Sequence, residues 1–175
     1  MGGGSETPEL PDVTVYVEWL DALVRGARLQ QIAVLSPFVL RSVESTVGEF
    51  SGCAIRRSAK RIVLEFSDSY FAVIHLTIAG RLRWRAAGVK VPKPNLLATF
   101  NFDTGTVLFN EAWKKKRALL HLLRGERALR EHQRGGLEVV DAPPVAAREA
   151  LCSENHTHKR ALTDPRILSG IGNEY

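Results

Sequence analysis

Apolar and polar positions change period along this chain, first in threes and fours, then in twos. Between 13 and 23, Val13, Tyr16, Val17, Leu20 and Leu23 recur at the spacing of one helix face, and Gly26 supplies a stop. From 29 the period shortens. Short runs at 29–35, 39–43, 53–57, 61–66, 70–77, 81–85, 97–102, 107–109 and 118–123, separated by turn residues, read as strands. Alternation is cleanest at 61–66, where Ile62, Leu64 and Phe66 lie opposite Val63 and Glu65. Ser67-Asp68-Ser69 then turns the chain into 70–77 as a hairpin, and Asp103-Thr104-Gly105 makes a second turn. Short strands separated by turns predict an antiparallel β-sandwich led by a helix.

The pattern changes near Gly125. Residues 126–132 are short and helical, Gly135-Gly136 breaks them, and Pro143-Pro144 opens a segment ending near Cys152. Residues 155–162 read as a helix, Asp164-Pro165 as a turn or short helix, and Ser169-Gly170-Ile171-Gly172-Asn173 as a glycine-rich turn. The expected fold class is therefore α+β, in three parts. Residues 1–7 form a flexible leader containing Gly2-Gly3-Gly4-Ser5, 8–124 the β-sandwich domain, and 125–175 the beginning of a helical domain.

Composition narrows the class. The 175 residues are 45% hydrophobic and 25% charged, the balance of a soluble globular protein. A net charge of +5 and a pI near 9.5 favour a polyanionic partner. Cys53 and Cys152 are far apart, without Cys-x-x-Cys spacing, which predicts reduced thiols in a cytoplasmic protein and no zinc site. No apolar run reaches the length of a membrane span, so no membrane partner is expected. Basic residues cluster at Arg56-Arg57, Lys60-Arg61, Lys114-Lys115-Lys116-Arg117 and Lys159-Arg160. Arg81, Arg83 and Arg85 alternate with Leu82 and Trp84, so they share one strand face. A single cluster reads as a solvated surface; several together favour a phosphate-tracking surface.

Individual residues carry more than one reading. Pro8 and Pro11 bracketing Glu9-Leu10 suit the first turn of a helix, with Asp12 at the positive end of its dipole. Glu9 can be a surface acid, and Lys60 an edge lysine that discourages aggregation. Asn173 can be an N-cap after an ordinary loop. His75, Trp19 and Trp84 read as core residues.

Longer segments resemble a known family. Pro8-Glu9-Leu10-Pro11-Asp12-Val13 is similar to the opening of the formamidopyrimidine-DNA glycosylase / endonuclease VIII family. Residues 56–64, Arg-Arg-Ser-Ala-Lys-Arg-Ile-Val-Leu, resemble its Arg-x-x-Lys strand, and 75–82, His-Leu-Thr-Ile-Ala-Gly-Arg-Leu, its His-Leu-x-Met-(Ser/Ala)-Gly-x-Leu turn. Residues 155–162 through 169–175 resemble the first part of its helix-two-turn-helix motif. The resemblance implies base-excision repair by a bifunctional DNA glycosylase/AP lyase acting on damaged or abasic DNA. In such enzymes Pro8 would be the amine nucleophile, Glu9 the proton shuttle and Lys60 the anchor for the flipped nucleotide's phosphate. It also implies DNA contacts at Asn95, Lys114, Lys159 and Asn173, with Asp12 supporting Glu9. No cofactor is expected in this chain; a zinc finger would lie in a further C-terminal part. The full-length protein is expected to be monomeric and nucleoid-associated.

Four features differ from that pattern. Pro8 follows seven residues, so its nitrogen is a tertiary amide that cannot attack carbon. Ile78 stands where Met is usual, and Glu111-Ala112-Trp113-Lys114-Lys115-Lys116 where an Arg-Arg-Phe-Gly loop is usual. Pro94-Asn95 replaces a DNA-contacting His. The chain stops at Tyr175, and is expected to be a truncated form with a partial helical domain. The alternative is a non-catalytic DNA-binding relative or an inactive fragment.

Overall fold

A computed structural model describes residues 8–41, 52–90, 92–133, 135–140 and 142–171. Helix α1 runs Leu10–Val24, starting three residues before the apolar periodicity does. The earlier start has a local cause. Pro11 needs no hydrogen-bond acceptor in the first turn, and Asp12 Oδ2 accepts the Glu9 N–H at 2.9 Å. Val13, Leu20 and Val24 are the buried face of α1, and it lies on β2 and β3 of the sandwich.

Two four-stranded antiparallel sheets form the sandwich. The first has the order β1-β6-β7-β5, with β1 Leu29–Val34, β5 Gly80–Ala86, β6 Leu96–Phe102 and β7 Gly105–Glu111. The second has the order β2-β3-β4-β8, with β2 Cys53–Ser58, β3 Arg61–Phe66, β4 Tyr70–His75 and β8 Leu119–Arg124. Their inner faces share one core containing Ile62, Leu64, Ile74, Phe100, Phe109 and Leu120, closed by α1. Each of those side chains is completely or almost completely buried, and each stabilises the fold by about 1.5–3 kcal/mol relative to exposure.

The outer face of the second sheet is also covered. Val63, Phe71 and Val73 meet Leu129 of α2, Glu126–His132. Beyond it lie β9 Leu137–Glu138, α3 Pro144–Cys152, α4 His158–Thr163 and β10 Leu168–Ser169. β9 and β10 pair in parallel, and with α3 and α4 they enclose a small core of Ala161, Ile167 and Leu168. Gly136 permits this join, because a Cβ there would meet Ile167 backbone at 2.1 Å.

The α+β class and the sandwich follow the expectation, but particular elements do not. No strand forms at 39–41: only Leu40 bridges Leu120, after a turn containing Pro37, and residues 42–43 lie outside the described residues. β7 extends well past 107–109, because β5 and β6 hydrogen-bond it on both sides through Asn110. The helix expected at 155–162 is shorter, beginning at His158. The β9–β10 pair was not foreseen.

Candidate functional site at one end of the sandwich

Strand pairing places six connections at one end. They are the start of α1, the segment after β1, the β2–β3 turn, the β4–β5 turn, the approach to β6, and the β7–β8 loop. Pro8 is buried there, and Glu9, the N-cap of α1, is only 8% exposed.

Lys60 reaches the same point from the two-residue β2–β3 turn. Ala59, the first residue of that turn, has φ +51, a left-handed conformation that an alanine adopts only at a cost. Arg57 braces the turn, its guanidinium donating to Ala59 O at 3.4 Å and to Glu138 Oε2 at 2.9 Å. Lys60 Nζ lies 2.6 Å from Glu9 Oε2. The contact is an ion pair by distance, and Oε2 accepts no aligned hydrogen bond among the described residues. A buried carboxylate oxygen with spare acceptor capacity, facing an ammonium, is equipped to take or give a proton.

The C-terminal turn joins this group. Gly170 has φ +98, and a Cβ on it would lie 2.5 Å from Leu10 Cδ1, so its backbone sits directly against the residue after Glu9. Pro8, Glu9, Lys60 and the 168–171 turn are thus assembled from sequence-distant segments. Asn173 lies outside the described residues. Asn95 is exposed with φ +60, and its side-chain oxygen accepts a hydrogen bond from Lys116 Nζ at 3.4 Å. Lys114 is exposed on the β7–β8 loop and Lys159 is exposed on α4. The Asp12 carboxylate accepts the Glu9 backbone N–H, one half of a reciprocal capping box with the Glu9 side chain.

Beneath Lys60 lies a group that sequence reasoning left unconnected. Arg61, partly buried, donates to His132 O at 3.2 Å, and the His121 and His132 rings are 4.1 Å apart. Burial, then the charges of Arg61 and Lys60, pushes His75 down to about 4. Burial and the neighbouring His132 and Arg61 push His121 down to about 4, and burial lowers His132. The three rings are thus held neutral at neutral pH beside the Arg61 charge. Among the described residues no group of three His, Cys, Asp or Glu is placed to hold a metal.

The other residue missed was Glu111, whose carboxylate is 1% exposed. It accepts Arg117 N–H with both oxygens, at 3.2 and 2.9 Å, and Ala118 N–H at 3.2 Å. In the sequence it borders a lysine run and looks like part of a solvated charge cluster. A separate hollow of about 280 Å³, lined by Asp12, Val15, Tyr16, Trp19 and Leu82, flanks α1 without including Pro8, Glu9 or Lys60.

Comparison with known families decides the relationship. The sequence pattern of the formamidopyrimidine-DNA glycosylase N-terminal domain matches residues 7–168. The chain belongs to this family. A formamidopyrimidine-DNA glycosylase of Pelotomaculum thermopropionicum is 28% identical over 184 residues, covering 96% of this chain and 63% of that protein. One from Mycoplasma genitalium is 26% identical, covering 96% and 61%. The chain therefore spans less than two thirds of the length of these curated relatives. The fold is also that of the Lactococcus lactis formamidopyrimidine-DNA glycosylase, solved bound non-covalently to DNA containing an AP site. That structure has a TM-score of 0.76 at 22% identity, over 95% of this chain and 66% of the other. A MutM structure in complex with DNA containing carbocyclic 8-oxo-G gives a TM-score of 0.75 at 22% identity. No described helix is long and apolar enough to cross a membrane.

Proposed function

We propose that this chain is the proline-bearing part of a base-excision DNA glycosylase with AP lyase activity, acting on damaged or abasic DNA. The observation that carries the reading is the buried Glu9 carboxylate 2.6 Å from Lys60, directly after Pro8. Family membership and the net charge of +5 support it.

In this reading the Thr7–Pro8 bond is cut, leaving Pro8 as a secondary amine. An α-amino group has a pKa near 8, so a useful fraction is unprotonated at neutrality. The nitrogen lone pair attacks the anomeric carbon of the damaged nucleoside, and the bond to the base breaks with its electrons leaving on the base. The nitrogen gives up its proton, and the C1′–O4′ bond breaks with its electrons on the ring oxygen, which is protonated. The iminium so formed acidifies the adjacent C2′ proton. Loss of that proton expels the 3′ phosphate and cleaves the strand. Glu9 Oε2 exchanges protons with the sugar and the proline nitrogen. Lys60 exchanges its carboxylate partner for the phosphate of the flipped nucleotide. Backbone N–H groups at Gly170–Gly172, with Asn173, grip a further phosphate, and Asn95, Lys114 and Lys159 track the backbone. Trp113, 46% exposed, is the side chain that would fill the gap left by the flipped base.

The test is incision of a duplex carrying one abasic site. The chain released at Pro8 should cleave it, and the chain retaining residues 1–7 should not. Glu9→Gln should slow the released chain by about 10²–10⁴-fold. Equal incision with and without residues 1–7 would overturn the reading.

A further inference from the structure

The β7–β8 loop has no evident reason to hold a shape. Residues 112–117 read Ala-Trp-Lys-Lys-Lys-Arg, all six exposed, between buried Glu111 and Ala118. Four successive cations repel one another, and Trp113 has no core to settle into. Order in such a loop must come from its ends.

Those ends are tied by one residue. The Glu111 carboxylate holds the backbone N–H groups of Arg117 and Ala118. Its own N–H donates to Asn95 O at 2.9 Å, and its carbonyl accepts from Lys116 Nζ, which also reaches Asn95 Oδ1 at 3.4 Å. Both ends of the loop and the approach to β6 thus converge on Glu111. A surface acid would not be spent this way: at 1% exposure it reaches no solvent, and its contacts are nearly all backbone or loop groups.

We infer that Glu111 is a positioning residue, whose buried carboxylate pre-shapes the 112–117 loop so that Trp113 and its flanking lysines meet unstacked DNA together. The inference rests on the DNA-binding reading given above. The partner chemistry follows from the loop itself: a stacking surface for a base beside cations for phosphates. Glutamine at this position keeps the shape of the side chain but leaves one acceptor oxygen and points an NH₂ group at backbone donors. The loop would then fray while the sandwich stays folded.

The experiment compares the full chain with Glu111→Gln, using a short duplex bearing a tetrahydrofuran abasic analogue. Amide NMR of the free proteins reads the loop, and fluorine NMR of fluorotryptophan-labelled protein reads Trp113. Glu111→Gln should move the Arg117 and Ala118 amide signals and narrow the Trp113 fluorine line. Affinity should fall by about tenfold, the cost of losing a preorganised contact, with the salt dependence retained because the lysines remain. Should Glu111→Gln not fold, Lys116→Met provides the second variant, with Lys115→Met as its equal-charge control. Lys116→Met should weaken binding several-fold more than Lys115→Met. Unchanged loop signals, or altered signals with affinity within about twofold, would overturn the inference, as would equal losses in the two lysine variants. Absence of duplex binding by the unaltered chain would instead overturn the DNA-binding reading. The free-protein signals make the two failures distinguishable.

Discussion

The two ends of the sandwich are built from the same strands but to different specifications. At the end holding Pro8, two carboxylates are buried and committed: Glu9 faces Lys60, and Glu111 gathers backbone donors. The cations there, Lys114 to Arg117, are left exposed. At the opposite end acids are matched locally and lie at or near the surface. Asp21 pairs with Arg25, Asp103 accepts Arg28 N–H at 3.1 Å, and Asp68 sits exposed in a tight turn. The far end satisfies itself, as a hairpin end must. The near end withdraws its negative charge and displays its positive charge, which suits a polyanion.

The largest expected effect that separates the ends is Glu111→Ala. It strands two buried or partly buried backbone N–H groups and should cost about 3 kcal/mol in urea unfolding, against under about 1 kcal/mol for Asp103→Ala. Equal costs would erase the distinction. Next, Lys60→Met leaves the Glu9 carboxylate buried beside no cation, and should lower stability by about 2 kcal/mol. Arg25→Ala at the far end breaks a pair whose arginine is solvated, and should leave the melting temperature unchanged.

A third effect is pH-dependent. His75 and His121 are held near 4 in the folded chain against about 6.5 unfolded, so the unfolded state binds protons first on acidification. The contribution of these two histidines is therefore flat above pH 6.5 and declines from about 6.5 to about 4. Unfolding midpoints across that window should show the decline, and His75→Asn should reduce it, leaving the part due to His121. An unaltered slope in His75→Asn would remove His75 from the account. The smallest effect is a gain: Ala59→Gly relieves the left-handed turn beneath Lys60, and should raise stability by about 0.5 kcal/mol after glycine's entropy cost. A thermal melt would register a loss if that turn were unstrained.

Legibility in the sequence followed the range of the forces involved. β3 was readable to the residue, because alternation of Ile62, Leu64 and Phe66 with Val63 and Glu65 is a local signal. Position 39–41 misled, since Val39 and Leu40 are apolar for packing against the core and β8, not for a strand ladder. Pro8, Glu9 and Lys60 were named from their resemblance to a family, but the 2.6 Å approach of Glu9 and Lys60 is tertiary. Glu111 was invisible for the same reason. Nothing in Glu-Ala-Trp-Lys-Lys-Lys indicates that this acid turns inward; the return of the β7–β8 loop, which brings the Arg117 and Ala118 N–H groups onto it, decides it. The β9–β10 pair, two residues per strand, is too short for any periodicity to reveal.

The central claim is that Pro8, beside Glu9 and Lys60, is the nucleophile toward an abasic sugar. Borohydride trapping with abasic-site DNA, followed by intact mass spectrometry on the same sample, tests it directly. The account predicts a covalent adduct on a species beginning at Pro8. An adduct on the chain that still carries residues 1–7 would assign the imine to a lysine and contradict it.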